Sequence, residues 1–370
     1  MSRWRESGRA VPSWVVETLG VLPAWVTARL LVAVGWLLAH LIADAETPHA
    51  LERGLLAWDG DWYRSLATHG YDGVPLEGVR FFPGYVLLGR AVDFILPGGV
   101  GTALVVVSNV GTLVAMVLLH RLVVLETGDR RVAGRAVWAL ALFPPAFVLA
   151  WAYAEGPFLA LVIGCLLLLR RERWWWSGLL GLAAGLLRPT GALLAVAALC
   201  AVWRPSGRPD SLLGRVAAVG GGPLGASAYV AWASLHFEQA FLPITVQQDL
   251  RGDPIDPLRR LLRGFRDLFG PDGLSDGLHV VAVIGLAGLL VVLFRVWPLR
   301  YGVFAAACLL VALGAENLNS LERYSLNGVP IVLGVATLAG HRRLGGAIPL
   351  ASGVALVALS AAAWLGNYVP

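Results

Sequence analysis

Apolar runs of membrane-spanning length recur along almost the whole of this chain, and nothing else in the sequence restricts its fold as strongly. They lie at 24–43, 100–120, 135–151, 156–170, 174–187, 190–203, 215–236, 278–297, 300–315, 326–340 and 346–366. A helix needs about 20 such residues to cross a bilayer. The expected fold is therefore one all-α polytopic membrane unit over 1–370, with about 11 transmembrane helices and a range of 9–13. Composition agrees. Hydrophobic residues make up 57% of the 370 and charged residues only 14%, against roughly 25% charged in soluble domains. Several runs are short, and the pairs meeting at Glu155 and at Arg188-Pro189 read as helices broken or bent near one membrane face.

The basic residues are 29 arginines with no lysine, and the net charge is +5. They are scattered between apolar runs, so they read as topology signals and not as a nucleic-acid footprint; no nucleic-acid partner is expected. With the N-terminus in the cytoplasm and each run crossing once, the cytoplasmic side carries 18 arginines against 6 acids. The outer side carries 11 against 18. This bias satisfies the positive-inside rule and predicts a multi-pass protein of the cell membrane. It also decides one segment: Phe81–Leu96 would invert the arginine-rich 121–135 loop if it crossed, so it reads as an interfacial or re-entrant helix on the outer side. The first run is too long for a typical signal core, so cleavage after Ala43-Asp44-Ala45 is not expected. Cys165, Cys200 and Cys308 fall inside spans and read as packing residues.

Two outer loops are long. The first, 44–99, contains Trp58-Asp59-Gly60-Asp61-Trp62-Tyr63, then His69-Gly70-Tyr71-Asp72, then Phe81-Phe82-Pro83-Gly84-Tyr85. An aromatic belt at a membrane surface gains nothing from aspartates, whereas carboxylates beside aromatic faces suit a sugar. The second, 237–277, contains Gln247-Gln248-Asp249-Leu250-Arg251 and then an amphipathic stretch. There Leu258, Leu261, Leu262, Phe265, Leu268 and Phe269 recur at helical spacing, with Arg259, Arg260, Arg263 and Arg266 on the polar side. That pattern predicts a helix lying on the lipid bilayer. Shorter outer corners hold Tyr153-Ala154-Glu155, Arg188-Pro189-Thr190-Gly191 and Glu322-Arg323-Tyr324. Ionisable residues at membrane depth are costly, which makes each corner a functional candidate. Arg188 and Arg323 suit a phosphate through a bidentate fork. Equally, Glu155 and Glu322 suit pairing with these arginines to hold helices together.

In order, Trp-Asp-x-x-Trp-Tyr, His-Gly-Tyr, Phe-Phe-Pro-Gly-Tyr, Tyr-x-Glu-x-x-Phe at 153–158, Arg-Pro-Thr-Gly at 188–191 and Arg-Tyr at 323–324 resemble the bacterial PIG-V-type mannosyltransferases of the GT-C glycosyltransferase superfamily. The match runs from Trp58 to Tyr324. Gln247…Arg251 fits only in part, because the family often has Trp where Leu250 stands. The resemblance implies a GT-C-like helical enzyme. Its donor would be a polyprenyl-phosphate-linked sugar, usually mannose, used on the extracytoplasmic face toward a membrane-associated acceptor.

On that reading Asp59 is the general base of an inverting displacement, and Arg188, Arg251 and Arg323 are candidates for the phosphate. Trp58, Trp62, Tyr63, His69, Tyr71, Glu155, Gln247 and Tyr324 join the expected substrate pocket. Asp61 is a departure from the family motif and a second candidate catalytic acid. It makes a literal Asp-Gly-Asp, a pattern that in nucleotide-sugar enzymes holds Mg or Mn. No cofactor is expected to be required, with a divalent cation on Asp59 and Asp61 as the alternative. The competing function is a polytopic transporter or lipid flippase, although no internal repeat is evident and the unusual charges collect at one face.

Overall fold

The computed structural model describes residues 13–43, 47–203, 211–252, 255–267, 269, 278–314 and 320–368. Among these the regular structure is entirely helical. The first loop and its flanks comprise α1 (Ser13–Ile42), α2 (His49–Arg53), α3 (Asp59–His69), α4 (Pro83–Asp93) and α5 (Gly99–Thr127). The middle of the chain forms α6 (Arg130–Ala141), α7 (Glu155–Arg170), α8 (Trp174–Leu187), α9 (Leu194–Val202) and α10 (Leu212–His236). Two short helices follow, α11 (Leu242–Arg251) and α12 (Pro257–Asp267). The remainder is α13 (Leu278–Val296), α14 (Leu299–Leu313), α15 (Leu321–Asn327), α16 (Ile331–Leu338) and α17 (Ala347–Trp364).

Among the described residues four helices have by themselves the length and composition to cross a membrane: α1, α5, α13 and α17. The expected eleven spans thus correspond to a mixture of long helices and shorter or interrupted ones. Proline explains two interruptions. The run at 135–151 breaks because Pro144 and Pro145 follow α6 and start a 3-10 turn, Pro144–Leu149. The run at 326–340 divides where Pro330 separates α15 from α16. Arg29 of α1 makes the first break tolerable, donating to the Leu149 carbonyl (3.0 Å) and to Asn109 Oδ1 of α5 (2.9 Å). Irregular backbone within an apolar bundle needs such partners.

Charged contacts gather at two ends of the bundle. At one end Arg121 pairs with Glu17, and Glu126 takes Arg300 and, at 3.3 Å, Arg170. At the other, Glu155 meets Arg188 at 2.6 Å and His279 meets Glu322 at 2.7 Å. The 16-residue α7 carries Glu155 at its first position and Arg170 at its last, so the two sets stand roughly 24 Å apart along it.

Helices α8 and α10 approach through glycine. A Cβ on Gly221 or Gly225 of α10 would fall onto the carbonyl of Gly178 or Leu182 of α8, and one on Gly185 onto that of Gly222. Small residues let backbones touch where lipid provides no hydrophobic drive for association. Helices occupy both stretches singled out by sequence, α4 with Pro83 in its first turn and α12. On α12 the apolar face of Leu258, Leu262 and Phe265 is exposed. Arg260 is not on the polar side with the other three arginines but buried, because it shares with Leu261 and Gly264 the face turned to the bundle.

Candidate active site

The helix that carries Asp59 begins with it. Trp58, immediately before, holds φ 56°, ψ −121°, a left-handed conformation costly for a residue with a side chain. Two indole bonds hold the chain there. Trp58 Nε1 donates to the Ala363 carbonyl (2.9 Å) and Trp364 Nε1 to the Gly54 carbonyl (3.1 Å). They fasten the start of the first loop to α17. The Asp59 backbone N–H donates to the Tyr153 hydroxyl oxygen (3.3 Å), and its carboxylate pairs with Arg323.

Arg323 is 5% exposed in its side chain and lies over the rings of Tyr153 (5.3 Å) and Tyr324 (5.0 Å). Glu155, fully buried, stands 2.6 Å from Arg188 and 3.7 Å from Arg323. Arg188 reaches this point because the residue before a proline is driven out of the helical region. It adopts φ −152°, ψ 144°, and α8 stops at Leu187. Two acids and two arginines thus form one buried, charge-balanced cluster. Burial pushes the Asp59 carboxyl up, but the Arg323 guanidinium, with Arg80 and Arg188 adding to it, outweighs burial and holds Asp59 below its ordinary value of 3.8. The carboxylate is therefore ionised at neutral pH.

Beside the cluster opens a mostly apolar cavity of about 1120 Å³, with Asp59, Tyr63, Arg80, Arg188, Gln247 and Arg323 among its lining residues. Pockets for small ligands run to about 1,000 Å³. Its walls come from the first loop, α8, α10, α11, α14 and α15, and Tyr324 also contributes.

Other residues singled out in the sequence lie elsewhere. Asp61 pairs with Arg53 and with Arg64 (2.6 Å), off the cavity. Asp59 and Asp61 do not converge on a shared cation, because positions two apart on a helix face different ways and each carboxylate has its own arginine. Among the described residues no group of three or more His, Cys, Asp or Glu assembles. Trp62 stacks with Phe81 (5.9 Å) and lies near the Arg80 guanidinium (5.8 Å). His69 turns its Nδ1 to the Ser65 carbonyl (3.2 Å) in the last turn of α3. Tyr71 donates to the Phe81 carbonyl (2.7 Å) and packs on Tyr229 and Trp232. Trp58, Trp62, His69 and Tyr71 thus shape the loop from behind. Arg251 ends α11, and its side chain lies outside the described residues.

Sequence reasoning missed Arg80. It sits at the end of the 3-10 turn Leu76–Arg80, over the Phe81 ring at 4.7 Å, and lines the cavity. Its position directly before Phe81-Phe82-Pro83 was the available signal.

No known protein family and no curated protein matches the sequence. Solved structures of the Archaeoglobus fulgidus oligosaccharyltransferase are similar. One, tethered with an acceptor peptide containing the NVT sequon, is 13% identical with a TM-score of 0.44, over 92% of this chain and 55% of that one. A second, in complex with an inhibitory peptide and a dolichol-phosphate, is 14% identical at 0.43, over 92% and 56%. A third, in complex with Zn and sulfate, is 16% identical at 0.40, over 78% and 45%. The chain spans about half the length of these structures.

Proposed function

We propose that this chain is a membrane glycosyltransferase. It moves a sugar, mannose by the motif resemblance, from a polyprenyl-phosphate donor to a hydroxyl of a membrane-associated lipid, glycan or protein. The observation that carries the reading is an ionised carboxylate, Asp59, in the wall of a large apolar cavity whose other charged lining residues are arginines. An apolar cavity suits a lipid tail, guanidinium groups suit a phosphate, and a carboxylate can accept a proton in the transition state.

In the proposed reaction the acceptor oxygen attacks the anomeric carbon as its proton passes to Asp59. The bond from that carbon to the phosphate oxygen breaks on the opposite side, so the configuration inverts. The electron pair leaves on the phosphate, where arginines stabilise the growing charge. Glu155 and Tyr153 act as positioning residues. Glu155 balances Arg188, and Tyr153 fixes the first turn of α3. The arginine bias of the sequence supports a cytoplasmic N-terminus and an extracytoplasmic site.

The test is transfer from polyprenyl-phosphate mannose to extracted membrane acceptors by the full chain in lipid nanodiscs. Asp59→Asn is expected to lower turnover by about 10²–10⁴-fold. Asp61→Asn, with partners away from the cavity, keeps most of it. Activity that survives excess EDTA agrees with the divergence of Asp59 and Asp61, whereas EDTA loss restored by Mn or Mg would bring a metal into the site. No transfer with any lipid-linked sugar, joined to movement of labelled lipid across the bilayer, would favour the flippase reading.

A further inference from the structure

Among the described residues three arginines line the cavity, and they are not equivalent. Arg188 stands against Glu155 and Arg323 against Asp59, so each arrives with its charge already matched. Among the described residues Arg80 has no carboxylate within ion-pair distance, although it stands near enough to Asp59 to help hold that carboxyl ionised. Aromatic rings hold it instead, Phe81 at 4.7 Å and Trp62 at 5.8 Å, which orient a guanidinium without neutralising it. With Asp59 and Glu155 against Arg80, Arg188 and Arg323, the site carries one positive charge in excess. Thr190 stands in the same lining, 8% exposed, with its hydroxyl unpartnered.

We infer that Arg80 receives the singly charged phosphodiester of the lipid-linked donor before reaction, and that Arg323 turns to the leaving phosphate only once Asp59 has been protonated. This rests on the transferase reading and divides the work among its arginines. The charges balance at both stages. Before transfer, a site of +1 faces a phosphodiester of −1. As the acceptor oxygen bonds to the anomeric carbon, its proton moves to Asp59 and the site becomes +2. The broken carbon–oxygen bond leaves its electron pair on the phosphate, now a monoester of up to −2. Neutralised Asp59 no longer holds Arg323, so a guanidinium becomes available at the moment the phosphate gains charge. Arg80 is therefore a ground-state binding residue, and Arg323 acts in the transition state.

The two roles predict opposite kinetic signatures. Full-length protein in nanodiscs is assayed for transfer from polyprenyl-phosphate mannose. Binding is measured with polyprenyl monophosphate, with neutral polyprenol and with inorganic phosphate. Arg80→Gln is expected to weaken polyprenyl monophosphate binding and raise donor KM by about tenfold or more, with kcat changed by less than about threefold. Arg80→Lys recovers part of the affinity. Polyprenol binding stays at the wild-type level in both, which shows that the cavity is intact. Arg323→Gln lowers kcat by a larger factor than it raises donor KM, the reverse of the split in Arg80→Gln. Wild-type phosphate affinity in Arg80→Gln would overturn the inference, as would an equal loss of polyprenol binding. Competition by inorganic phosphate as strong as that of the lipid phosphate would overturn the lipid-linked form of the ligand. Phosphate binding that depends on Arg80 in a protein that transfers no sugar would keep the anion subsite and discard the transferase.

Discussion

At Asp59 burial favours the neutral acid, and the guanidinium of Arg323 favours the anion and prevails. Replacing Arg323 with Gln removes the strongest of the lowering influences and leaves burial opposed only by Arg80 and Arg188, so the carboxyl pKa rises. We expect kcat/KM of this variant to begin to fall at a higher pH than that of the wild type as the medium is acidified. Acid limbs that coincide in the two proteins would mean that Asp59 is not the proton acceptor. Glu155 is a different case, being fully buried against Arg188. Glu155→Gln strands a buried cation and should cost about 3–5 kcal/mol of stability, read as a lower unfolding temperature, with partial recovery in Glu155→Gln/Arg188→Met. Glu155, Arg188 and Arg323 were legible in the sequence because charge at membrane depth is conspicuous, and Asp59 because an acid between aromatics has no place in an interfacial belt. Arg80 was not, because an arginine in a polar loop is ordinary until its neighbours turn out to be rings and not acids.

Among the elements, the interface of α8 and α10 sets where Arg188 stands, since that residue follows directly from the end of α8. Gly221→Ala drives a methyl group onto the Gly178 carbonyl, and overpacking of this kind costs about 1–3 kcal/mol. We expect a lowered unfolding temperature together with reduced transfer, whereas Gly220→Ala, whose Cβ would meet only the tip of Leu224, should change neither appreciably. The helix α12 was readable from its helical periodicity. The breaks within 135–151 and 326–340 were not, because hydropathy averages over the prolines that cause them. The turn of Arg260 toward the bundle was hidden for a related reason. An amphipathic pattern separates apolar from polar positions but does not say which flank meets protein and which meets lipid.

Across the whole molecule, charged contacts separate to two ends of the bundle. Glu17, Arg121, Glu126, Arg170 and Arg300 meet at one end. Asp59, Glu155, Arg188 and Arg323 meet at the other. What sequence did not reveal is how the first loop is held, because indole-to-carbonyl bonds across some 300 residues leave no local pattern. Those bonds join Trp58 to Ala363 and Trp364 to Gly54, so they bear on the order in which the protein is made. During synthesis the loop with Asp59 leaves the ribosome some 300 residues before the residues that hold its strained backbone. We expect nascent chains arrested before residue 347 to be membrane-integrated but inactive, with activity appearing when α17 is supplied. Transfer by the arrested chain would show that the loop sets itself. On the proposed function, activity waits for α17, and a chain interrupted before that helix is an inert membrane protein and not a partly working enzyme.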